Sequence, residues 1–421
     1  MSNLHLLVYQ SYMQCMHDFC QYPQLVELLQ RKRLSSKTQI LAIGKAAWKM
    51  ASLSARVLAE KGLGYSGFVL TKAGLAHGEI PGLKILEGGH PLLNEQSLES
   101  SQIIVDWLQK LPAEDDLLVL ISGGSSAMFE LPAQGLTLPE LILKNKELLA
   151  SGLNIAQMNS ERRKLSRLKG GRAFELCRSR RVLVFAVSDV AEDDPRVIGS
   201  GPFTPSSELS ETERGWLFKT GGRTLEYRVV ANNLDFRRLL GKNLGKHGFR
   251  VLIDEAYESD ELSKLRTKIR GTLRQTQKLR PGSRMPFMLL LGGETPVKVT
   301  GSGKGGRCSH LALSLSRYLA RLENSALFCF ATDGCDNIPG SGGAWVDSNS
   351  WNLFKKEEIH PPDAIRDFDS HSALKAINHL LPAPLLTTNV NDVFLLSHGY
   401  NLEYPCANDC SEELDIFHDL P

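Results

Sequence analysis

Short apolar runs, each followed at once by small polar residues, recur along the chain. The runs are nearly continuous, which is typical of strands that are covered on both faces, as in a parallel sheet. Glycine, serine or threonine comes directly after every run. The five runs occupy residues 40–43, 117–121, 182–187, 287–291 and 326–331.

Stretches with helical periodicity separate most of these runs. We expect helices over residues 46–61, 95–111, 139–149 and 262–279, and an amphipathic N-terminal stretch over residues 4–29 that Pro23 interrupts. Strands and helices in this order predict an α/β protein with a doubly wound, mostly parallel sheet. In such sheets ligands bind outside the carboxyl ends of the strands. The runs should therefore deliver their polar residues to a single edge of one sheet.

The length of 421 residues exceeds one ordinary core and predicts two domains. The polar segment Arg280–Pro281–Gly282–Ser283 separates the last predicted helix from the run that begins at residue 287. We predict a larger domain over residues 1–283 and a smaller one over residues 284–400. Acidic residues then become frequent, and residues 401–421 are predicted to be a loosely held acidic tail.

Charge and cysteine content argue against several classes of protein. Lys and Arg total 49 against 47 Asp and Glu, a formal net charge of +2, which does not suit wholesale nucleic-acid binding. Eight scattered cysteines without a CxxC pair indicate neither a zinc site nor a disulfide framework. The chain has neither a signal-peptide pattern nor an apolar stretch of membrane-spanning length. We expect a cytoplasmic protein without nucleic-acid or membrane partners.

Two loops at predicted strand ends have the composition of anion-binding sites. Gly44 and Lys45 stand where a strand turns into a helix, so backbone N–H groups and a full positive charge would meet there. The loop from Ser122 to Ser126 contains Gly123, Gly124 and Ser125, and its N–H groups could form an anion nest. An exposed lysine and an ordinary strand-to-helix turn are the alternatives. The second loop does not fit the G-x-S-x-G pattern of a nucleophilic serine.

Charged residues mark two further segments. Residues 159–171 are densely cationic and end in Gly170–Gly171, which suits close approach to a phosphate or carboxylate, although a solvated surface helix has the same composition. Asp189 ends a buried strand, where a carboxylate can hold Mg²⁺ or accept a proton from a hydroxyl group. For the neighbouring Asp193 we prefer a turn, which Asp194–Pro195 indicates.

A glycine-rich loop over residues 301–307 contains a formal GxGxxG match. The strand-like residues 297–300 before it alternate apolar and polar, whereas a dinucleotide fingerprint follows a buried strand. Glycine follows the lysine, so the P-loop pattern fails as well. We interpret the loop as a flexible anion-binding loop in which Arg307 is the fixed charge. Residues 332–336 are either a metal or nucleotide site or a tight glycine turn, and His90 is more readily explained as a packed residue.

In their joint order these segments resemble the glycerate 2-kinase family, whose N-terminal domain is of the DUF4147 type and whose C-terminal half is the MOFRL domain. The resemblance runs from about residue 38 to residue 396. It is carried by Gly44–Lys45–Ala46–Ala47, Gly89–His90–Pro91, Ser122–Gly123–Gly124–Ser125–Ser126, Asn159 with residues 162–171, Ser188–Asp189–Val190 with Asp193–Asp194–Pro195, Ser200–Gly201–Pro202, Gly292–Gly293–Glu294–Thr295, Gly305–Gly306–Arg307, Thr332–Asp333–Gly334 with Asp336, and Thr388–Asn389–Val390–Asn391–Asp392.

The resemblance implies a Rossmann-like N-terminal domain, a smaller α/β MOFRL domain, and an active site in the cleft between them. It implies that ATP, with Mg²⁺, donates its γ-phosphoryl group to the 2-hydroxyl of D-glycerate or a similar small hydroxy acid. Lys45, Asp189 and Arg307 would be catalytic, and Asp189 would also be the candidate metal ligand.

The resemblance further implies two sets of binding residues. The nucleotide would contact Ser122, Gly123, Gly124, Ser125, Glu294, Thr295, Gly305, Gly306, Asp333, Thr388 and Asn389. The hydroxy acid would contact Ser126, Asn159, Arg162 and Lys169.

The sequence departs from the family pattern mainly in the second domain. Cys308–Ser309–His310 replaces the usual Asn-Gln-Glu, and the apolar segment 383–387 replaces a Gly-Pro-Thr-Gly run. Two alternatives therefore stay open. The GxGxxG match suggests an NAD(P)-dependent hydroxypyruvate reductase, and the departures suggest a non-catalytic nucleotide-binding paralogue. The sequence also leaves a homodimer open.

Overall fold

A computed structural model describes residues 3–150, 155–205, 209–212, 215–278, 285–384 and 388–401. Within these ranges no helix combines the length and hydrophobicity that crossing a membrane requires. The helices are α1 Asn3–Phe19, α2 Pro23–Arg31, α3 Ala47–Glu60, α4 Glu95–Leu108, α5 Ser125–Met128, α6 Leu138–Ala150, α7 Ile155–Lys164, α8 Arg172–Leu176, α9 Asn233–Lys246, α10 Leu262–Lys278, α11 Arg307–Leu319, α12 Ser350–Lys356, α13 Pro361–Arg366 and α14 Ser370–Ala376.

The strands contain the five apolar runs that the sequence analysis singled out. Residues 297–300, which were expected to be strand-like, are not part of a strand. The strands are β1 Lys37–Ile43, β2 Gly64–Thr71, β3 Leu83–Glu87, β4 Asp116–Ile121, β5 Arg181–Val187, β6 Ser210–Thr212, β7 Gly215–Thr220, β8 Arg223–Ala231, β9 Val251–Glu258, β10 Phe287–Gly293, β11 Ser325–Ala331, β12 Ser341–Asp347, β13 Leu380–Pro382 and β14 Asp392–His398.

The described chain forms two compact units, and the division differs from the predicted one. The first unit holds Phe19–Asn232 and Thr388–Val390, and the second holds the rest. The predicted boundary at residue 283 lies too late in the chain, because β9 pairs in parallel with β10 and α10 contributes to the core around Phe287 and Leu311. Except for Asn401, the predicted acidic tail over residues 401–421 lies outside the described residues.

The first unit contains the predicted doubly wound sheet. Among the described residues it has eight strands in the order β3-β2-β1-β4-β5-β8-β7-β6. The first six strands in this order, from β3 to β8, pair in parallel with their neighbours. The last two, β7 and β6, are antiparallel and lie at one edge. β4 is buried along its whole length, as its continuous apolar run predicts. The strand order reverses between β1 and β4, which is the switch point where sheets of this kind bind ligands.

The second unit contains a mainly antiparallel sheet with the order β13-β12-β11-β14-β10-β9 among the described strands. β9 and β10 are parallel, whereas β14 runs antiparallel to both of its neighbours, β10 and β11. The expectation that all five apolar runs serve one sheet edge is therefore wrong for residues 287–291 and 326–331. These two runs are still buried, because the second sheet has its own core of α10, α11 and strand residues.

Helix α1 lies in the second unit, although it begins the chain. Tyr12 stacks on Phe330 with ring centroids 4.0 Å apart, and His5 lies 4.1 Å from the ring of Trp345. Trp345 also stacks on the ring of His379, with centroids 3.6 Å apart. Burial lowers the pKa of both His5 and His379 to about 4, although Asp347 opposes this shift. The packing of α1 therefore depends on two neutral imidazoles.

Candidate functional site

The loops that follow β1 and β4 interlock at the switch point of the first sheet. The backbone N–H of Lys45 donates to the Gly123 carbonyl over 2.9 Å, and the N–H of Ala46 donates to Ser122 Oγ over 3.0 Å. Gly44 has a φ of 120°, and a Cβ atom there would collide with Ser122. Glycine is therefore required for the approach that brings Lys45 beside the Ser122–Ser126 loop.

Asp189 and Asn389 meet beside Gly123. Asn389 Nδ2 donates to Asp189 Oδ2 over 2.8 Å, across 200 residues of sequence. A Cβ atom on Gly123 would collide with both side chains, so the glycine makes room for them. The predicted catalytic residues Lys45 and Asp189 thus both border the loop that follows β4.

A buried hydrogen bond fixes the segment that carries Asn389. Tyr22 donates its hydroxyl to Thr388 Oγ1 over 2.9 Å, and both residues are buried. Burial raises the pKa of Tyr22, so its hydroxyl stays protonated and remains a donor. Thr388, a predicted nucleotide-binding residue, therefore uses its hydroxyl oxygen to hold the segment in place.

The short helix α5 begins with the remaining residues of the loop. Gly124 has a φ of 87°, and the ring of His90 lies within 3.2 Å of the place where its Cβ atom would stand. His90 follows β3, three strands away, so sequence spacing could not place it here. The buried hydroxyl of Ser125 has no hydrogen-bond partner among the described residues, and Ser126 Oγ lies 2.9 Å from Ser200 Oγ.

Lys169, predicted to bind substrate, is instead engaged in a buried ion pair. Its ammonium group pairs with Glu130, and the side chains of the two residues are only 6% and 2% exposed. Ser166 Oγ donates to the second carboxylate oxygen of Glu130 over 2.5 Å. Removing this lysine would leave a buried carboxylate without its cation, so Lys169 has a structural role, and its contact with substrate stays a prediction.

The rest of the cationic segment divides into structural and candidate binding residues. Arg172 donates to three backbone carbonyls, including that of Ser166 at 2.9 Å, and the N–H of Gly170 donates to the Ser200 carbonyl. Arg162 is half-buried, burial lowers its pKa, and its guanidinium has no acceptor among the described residues. It is therefore the member of the segment best suited to an anionic ligand. The side chain of Asn159 lies outside the described part of the chain.

In the second unit, β10 and β11 end at the edge where β14 begins. Glu294 follows β10, Asp333 follows β11, and Asp392 opens β14. Arg307 donates to Asp392 from Nε over 2.8 Å and from Nη2 over 3.3 Å, and to Glu294 from Nη1 over 2.6 Å. Burial disfavours the charged guanidinium, but the two carboxylates outweigh this and raise the pKa of Arg307. Arg307 is thus a permanent cation.

The sequence predicted that the glycine-rich loop before α11 is a flexible anion-binding loop. In the structure, several of its backbone N–H groups instead bind carboxylates of the protein itself. The N–H groups of Ser302 and Lys304 donate to the carboxylates of Asp367 and Asp369. At the start of α11 the N–H groups of Cys308 and Ser309 donate to the carboxylate of Asp336, and the carbonyl of Gly305 accepts from Asn337. Backbone donors that already bind carboxylates cannot also bind phosphate. The N–H of Gly306 already donates to Ser309 Oγ, and a nucleotide-binding role for Gly305 and Gly306 stays a prediction.

Thr295 and Asp333, two further predicted nucleotide-binding residues, differ in the hydrogen bonds of their side chains. The buried hydroxyl of Thr295 has no hydrogen-bond partner within the described ranges and could serve a ligand. Asp333 Oδ1 accepts from the N–H of Cys335 over 3.0 Å, so it stabilises a tight turn, which is one of the two alternatives predicted for residues 332–336. No group of three His, Cys, Asp or Glu residues in the described chain is arranged to hold a metal ion.

Comparison with known proteins adds family and fold relationships to this geometry. The domain of unknown function DUF4147 matches residues 12–229, and the MOFRL family matches residues 287–392. The D-glycerate 2-kinase of Thermotoga maritima is 34% identical over 376 residues, which cover 85% of this chain and 89% of that protein. An Agrobacterium vitis protein with the provisional name hydroxypyruvate reductase is 30% identical, over 84% of this chain and 97% of its own.

A solved structure extends the likeness to the fold. The crystal structure of glycerate kinase from Thermotoga maritima matches with a TM-score of 0.81 and 28% identity, covering 94% of this chain and 99% of that one. The DUF4147 match ends at residue 229, close to the end of the first unit's main segment at Asn232, and the MOFRL match begins at the first residue of β10.

Proposed function

Because this chain belongs to the glycerate 2-kinase family, we propose that it transfers the γ-phosphoryl group of ATP to the 2-hydroxyl of D-glycerate. The kinase relatives and the kinase structure support this reaction over most of the chain. The observation that carries the proposal is the convergence of Lys45, the Ser122–Ser126 loop and the Asp189–Asn389 pair at one switch point.

Each member of this group has a part in phosphoryl transfer, where positioning and charge neutralisation supply most of the catalysis. We assign Lys45 to the charge that develops on the transferred phosphoryl group. Asp189 accepts the proton of the 2-hydroxyl, and the hydrogen bond from Asn389 fixes the rotation of its carboxylate. The buried hydroxyl of Ser125, which has no partner among the residues that the structure describes, is available for a phosphate oxygen, and Arg162 for the carboxylate of glycerate.

The donors at this site also suit magnesium. Mg²⁺ is commonly bound by one or two carboxylates together with substrate phosphates, so it needs no all-protein cage. Asp189 is the carboxylate that would hold it. When bound with ATP, the ion neutralises phosphate charge and orients the nucleotide.

The direct test is an assay of purified protein with ATP, MgCl₂ and D-glycerate. We expect release of ADP that depends on glycerate, and a phosphorus NMR spectrum of the product that matches 2-phosphoglycerate. A 3-phosphoglycerate product would mean that the acceptor hydroxyl is misassigned. Absence of ADP release at millimolar D-glycerate would count against the proposal as a whole.

Hydroxypyruvate reduction has less support, despite the name of the Agrobacterium vitis relative. The GxGxxG loop donates its N–H groups to Asp367 and Asp369, and it does not follow a buried strand. The loop therefore lacks the features that bind a pyrophosphate in dinucleotide sites. Titration with NADH, followed by fluorescence, should detect no saturable binding.

The substitutions at Cys308, Ser309 and His310 do not require a non-catalytic protein. Cys308 is buried in the core, Ser309 Oγ accepts from the N–H of Gly306, and His310 stacks on Phe368. These side chains stabilise the start of α11, so the departures have structural roles.

A further inference from the structure

The turn over residues 199–201 packs directly against the start of α5. A Cβ atom on Gly199 would lie 2.4 Å from the hydroxyl oxygen of Ser125, so a side chain at that position would collide with α5. At the next residue, Ser200 Oγ lies 2.9 Å from Ser126 Oγ. A motif that carries the family resemblance, and that the proposed chemistry does not use, therefore touches the loop that follows β4.

Ser200 has a backbone conformation that serine rarely adopts. Its φ is 65°, in the left-handed region, and its two glycine neighbours have φ values of 58° and 63°. A residue with a side chain is strained in this region, and such strain is retained mainly at functional positions. Glycine would adopt this backbone more easily than serine, so the hydroxyl group is the reason to expect a function here.

Burial fixes the direction of the hydrogen bond between the two serines. Each hydroxyl can donate one hydrogen and accept through its lone pairs. Ser200 is 3% exposed, and among the described residues Ser126 is the acceptor within reach of its hydroxyl. A buried hydroxyl that did not donate would lose its bond to water without replacement, so Ser200 donates and Ser126 accepts. The hydrogen of Ser126, which is half-buried, then remains available for a ligand.

The same turn is joined to the cationic segment that carries Arg162. The N–H of Gly170 donates to the carbonyl of Ser200 over 3.1 Å. Arg163, the neighbour of Arg162, donates from Nη2 to the carbonyl of Arg196 over 2.9 Å. All of these residues lie in the first unit. The turn thus fastens α5 to the segment whose Arg162 is proposed to bind the carboxylate of glycerate.

Building on the proposed kinase function, we propose that Ser200 is a positioning residue, which holds the hydroxyl of Ser126 as a hydrogen-bond donor to an oxygen of the small hydroxy acid. Gly123, near the beginning of the loop, is bonded to the backbone of Lys45, which acts on the phosphoryl group. Ser126, at the end of the loop, is bonded to the turn that holds the cationic segment. Donation from Ser200 also makes the Ser126 hydroxyl a stronger donor, because hydrogen bonds in a chain polarise one another.

The first test is Ser200→Gly, which removes the hydroxyl and releases the strain of the left-handed backbone. The KM for D-glycerate should rise about tenfold, as expected for one lost hydrogen bond to a charged group, whereas kcat and the KM for ATP should each change less than about threefold. The urea midpoint should equal or exceed that of the wild type. A purely structural serine would instead lower the midpoint and leave the KM for D-glycerate unchanged, which would overturn the proposal.

Glu358→Gly is the matched control. Glu358 is exposed, lies in the second unit and has a φ of 54°, so its replacement by glycine also releases left-handed strain. The urea midpoint should rise, and every kinetic constant should stay at the wild-type value.

Ser126→Ala tests whether Ser200 acts through Ser126, and it serves as the test if Ser200→Gly does not fold. The KM for D-glycerate should rise by about the same factor as in Ser200→Gly, and the double variant should be no worse than Ser126→Ala alone. A wild-type KM in Ser126→Ala, or effects that multiply in the double variant, would refute the assigned role.

Calorimetric titration with D-glycerate, in the presence of the non-hydrolysable ATP analogue AMP-PNP, separates this inference from the proposed reaction because binding needs no turnover. If the wild type binds D-glycerate without phosphorylating it, and both serine variants bind it about tenfold more weakly, the proposed function fails and this inference stands. If the wild type phosphorylates D-glycerate and both variants keep its KM, the inference fails and the function stands. A wild type that neither binds nor phosphorylates D-glycerate would rule out both.

Discussion

Asn389 Nδ2 donates to Asp189 Oδ2 over 2.8 Å, and the pair occupies the space that a side chain on residue 123 would need. This relationship joins three segments that are distant in sequence. Substitutions at Gly123 or Asn389 should therefore affect the position of the Asp189 carboxylate.

Removing the charge of Lys45 or of Asp189, at the switch point of the first sheet, should abolish most of the kinase activity. We expect Lys45→Ala and Asp189→Asn each to lower kcat by about 10²-fold or more, because each removes charge that acts on the transferred group or its acceptor. Circular dichroism and thermal unfolding should be close to wild type. The control is Lys49→Ala, which removes a lysine in α3 four residues after Lys45 and should keep normal kinetics. Full activity in either site variant would show that the site is misassigned.

Asn389→Asp should change the pH dependence of catalysis. It places a second carboxylate beside Asp189, and like charges at hydrogen-bond distance favour protonation of one of them. The acidic limb of the profile of kcat against pH should therefore move to higher pH. Asn389→Ala, which adds no charge, should lower kcat without this displacement. Identical profiles for the two variants would contradict the assigned hydrogen bond.

Gly123→Ala should impair both activity and folding. The added methyl group would collide with Asn389 and Asp189, so the loop must shift, at a cost of about 1–3 kcal/mol in the free energy of unfolding. Gly271→Ala is the comparison, since nothing lies within 4 Å of the added atom on helix α10. That change should stabilise the helix by about 0.5–1 kcal/mol. Urea titrations measure both effects.

Lys169 should prove important for stability. Lys169→Ala leaves Glu130 buried without its partner, which should lower the free energy of unfolding by about 3–5 kcal/mol. The double change Lys169→Met with Glu130→Leu should recover most of that loss. Lys164→Ala, which breaks an exposed pair with Glu161, should cost less than about 1 kcal/mol. A Lys169→Ala protein of normal stability with a raised KM for glycerate would support the predicted contact with substrate.

Mild acid should destabilise the second unit. The folded protein keeps His5 and His379 neutral down to about pH 4, whereas in the unfolded chain they bind protons near pH 6.5. Protons therefore favour the unfolded chain, and stability should fall as the pH drops from about 6.5 to 4, by on the order of 2 kcal/mol per imidazole. Urea midpoints across this range measure the slope. His5→Phe should reduce it, and His360→Asn, at an exposed position, should not.

The sequence predicted the first sheet well because its strands are buried on both faces and read as continuous apolar runs. It could also place Lys45, Ser122 and Asp189 at strand ends, since each lies within two residues of the end of such a run. It could not place His90, whose loop reaches Gly124 from a strand three positions away. Charge density alone also could not distinguish Lys169, which is buried against Glu130, from Arg162, for which the described part of the chain provides no such acceptor.

The second unit was harder to predict for a topological reason. The packing of α1 against Phe330 and Trp345 depends on contacts across more than 300 residues of sequence, which local patterns do not contain. The backbone donors of the glycine-rich loop were misinterpreted because their acceptors, Asp367 and Asp369, lie more than 60 residues away.

The packing of α1 also has a consequence for biosynthesis. A ribosome makes this helix long before the aromatic residues that cover its inner face, Phe330 and Trp345, because more than 300 residues separate them from it. Throughout that interval the inner face of the nascent helix lacks its native cover, and chaperones are the usual protection for such surfaces. Fusion partners or truncations at the N-terminus should accordingly harm the maturation of the C-terminal half of the protein.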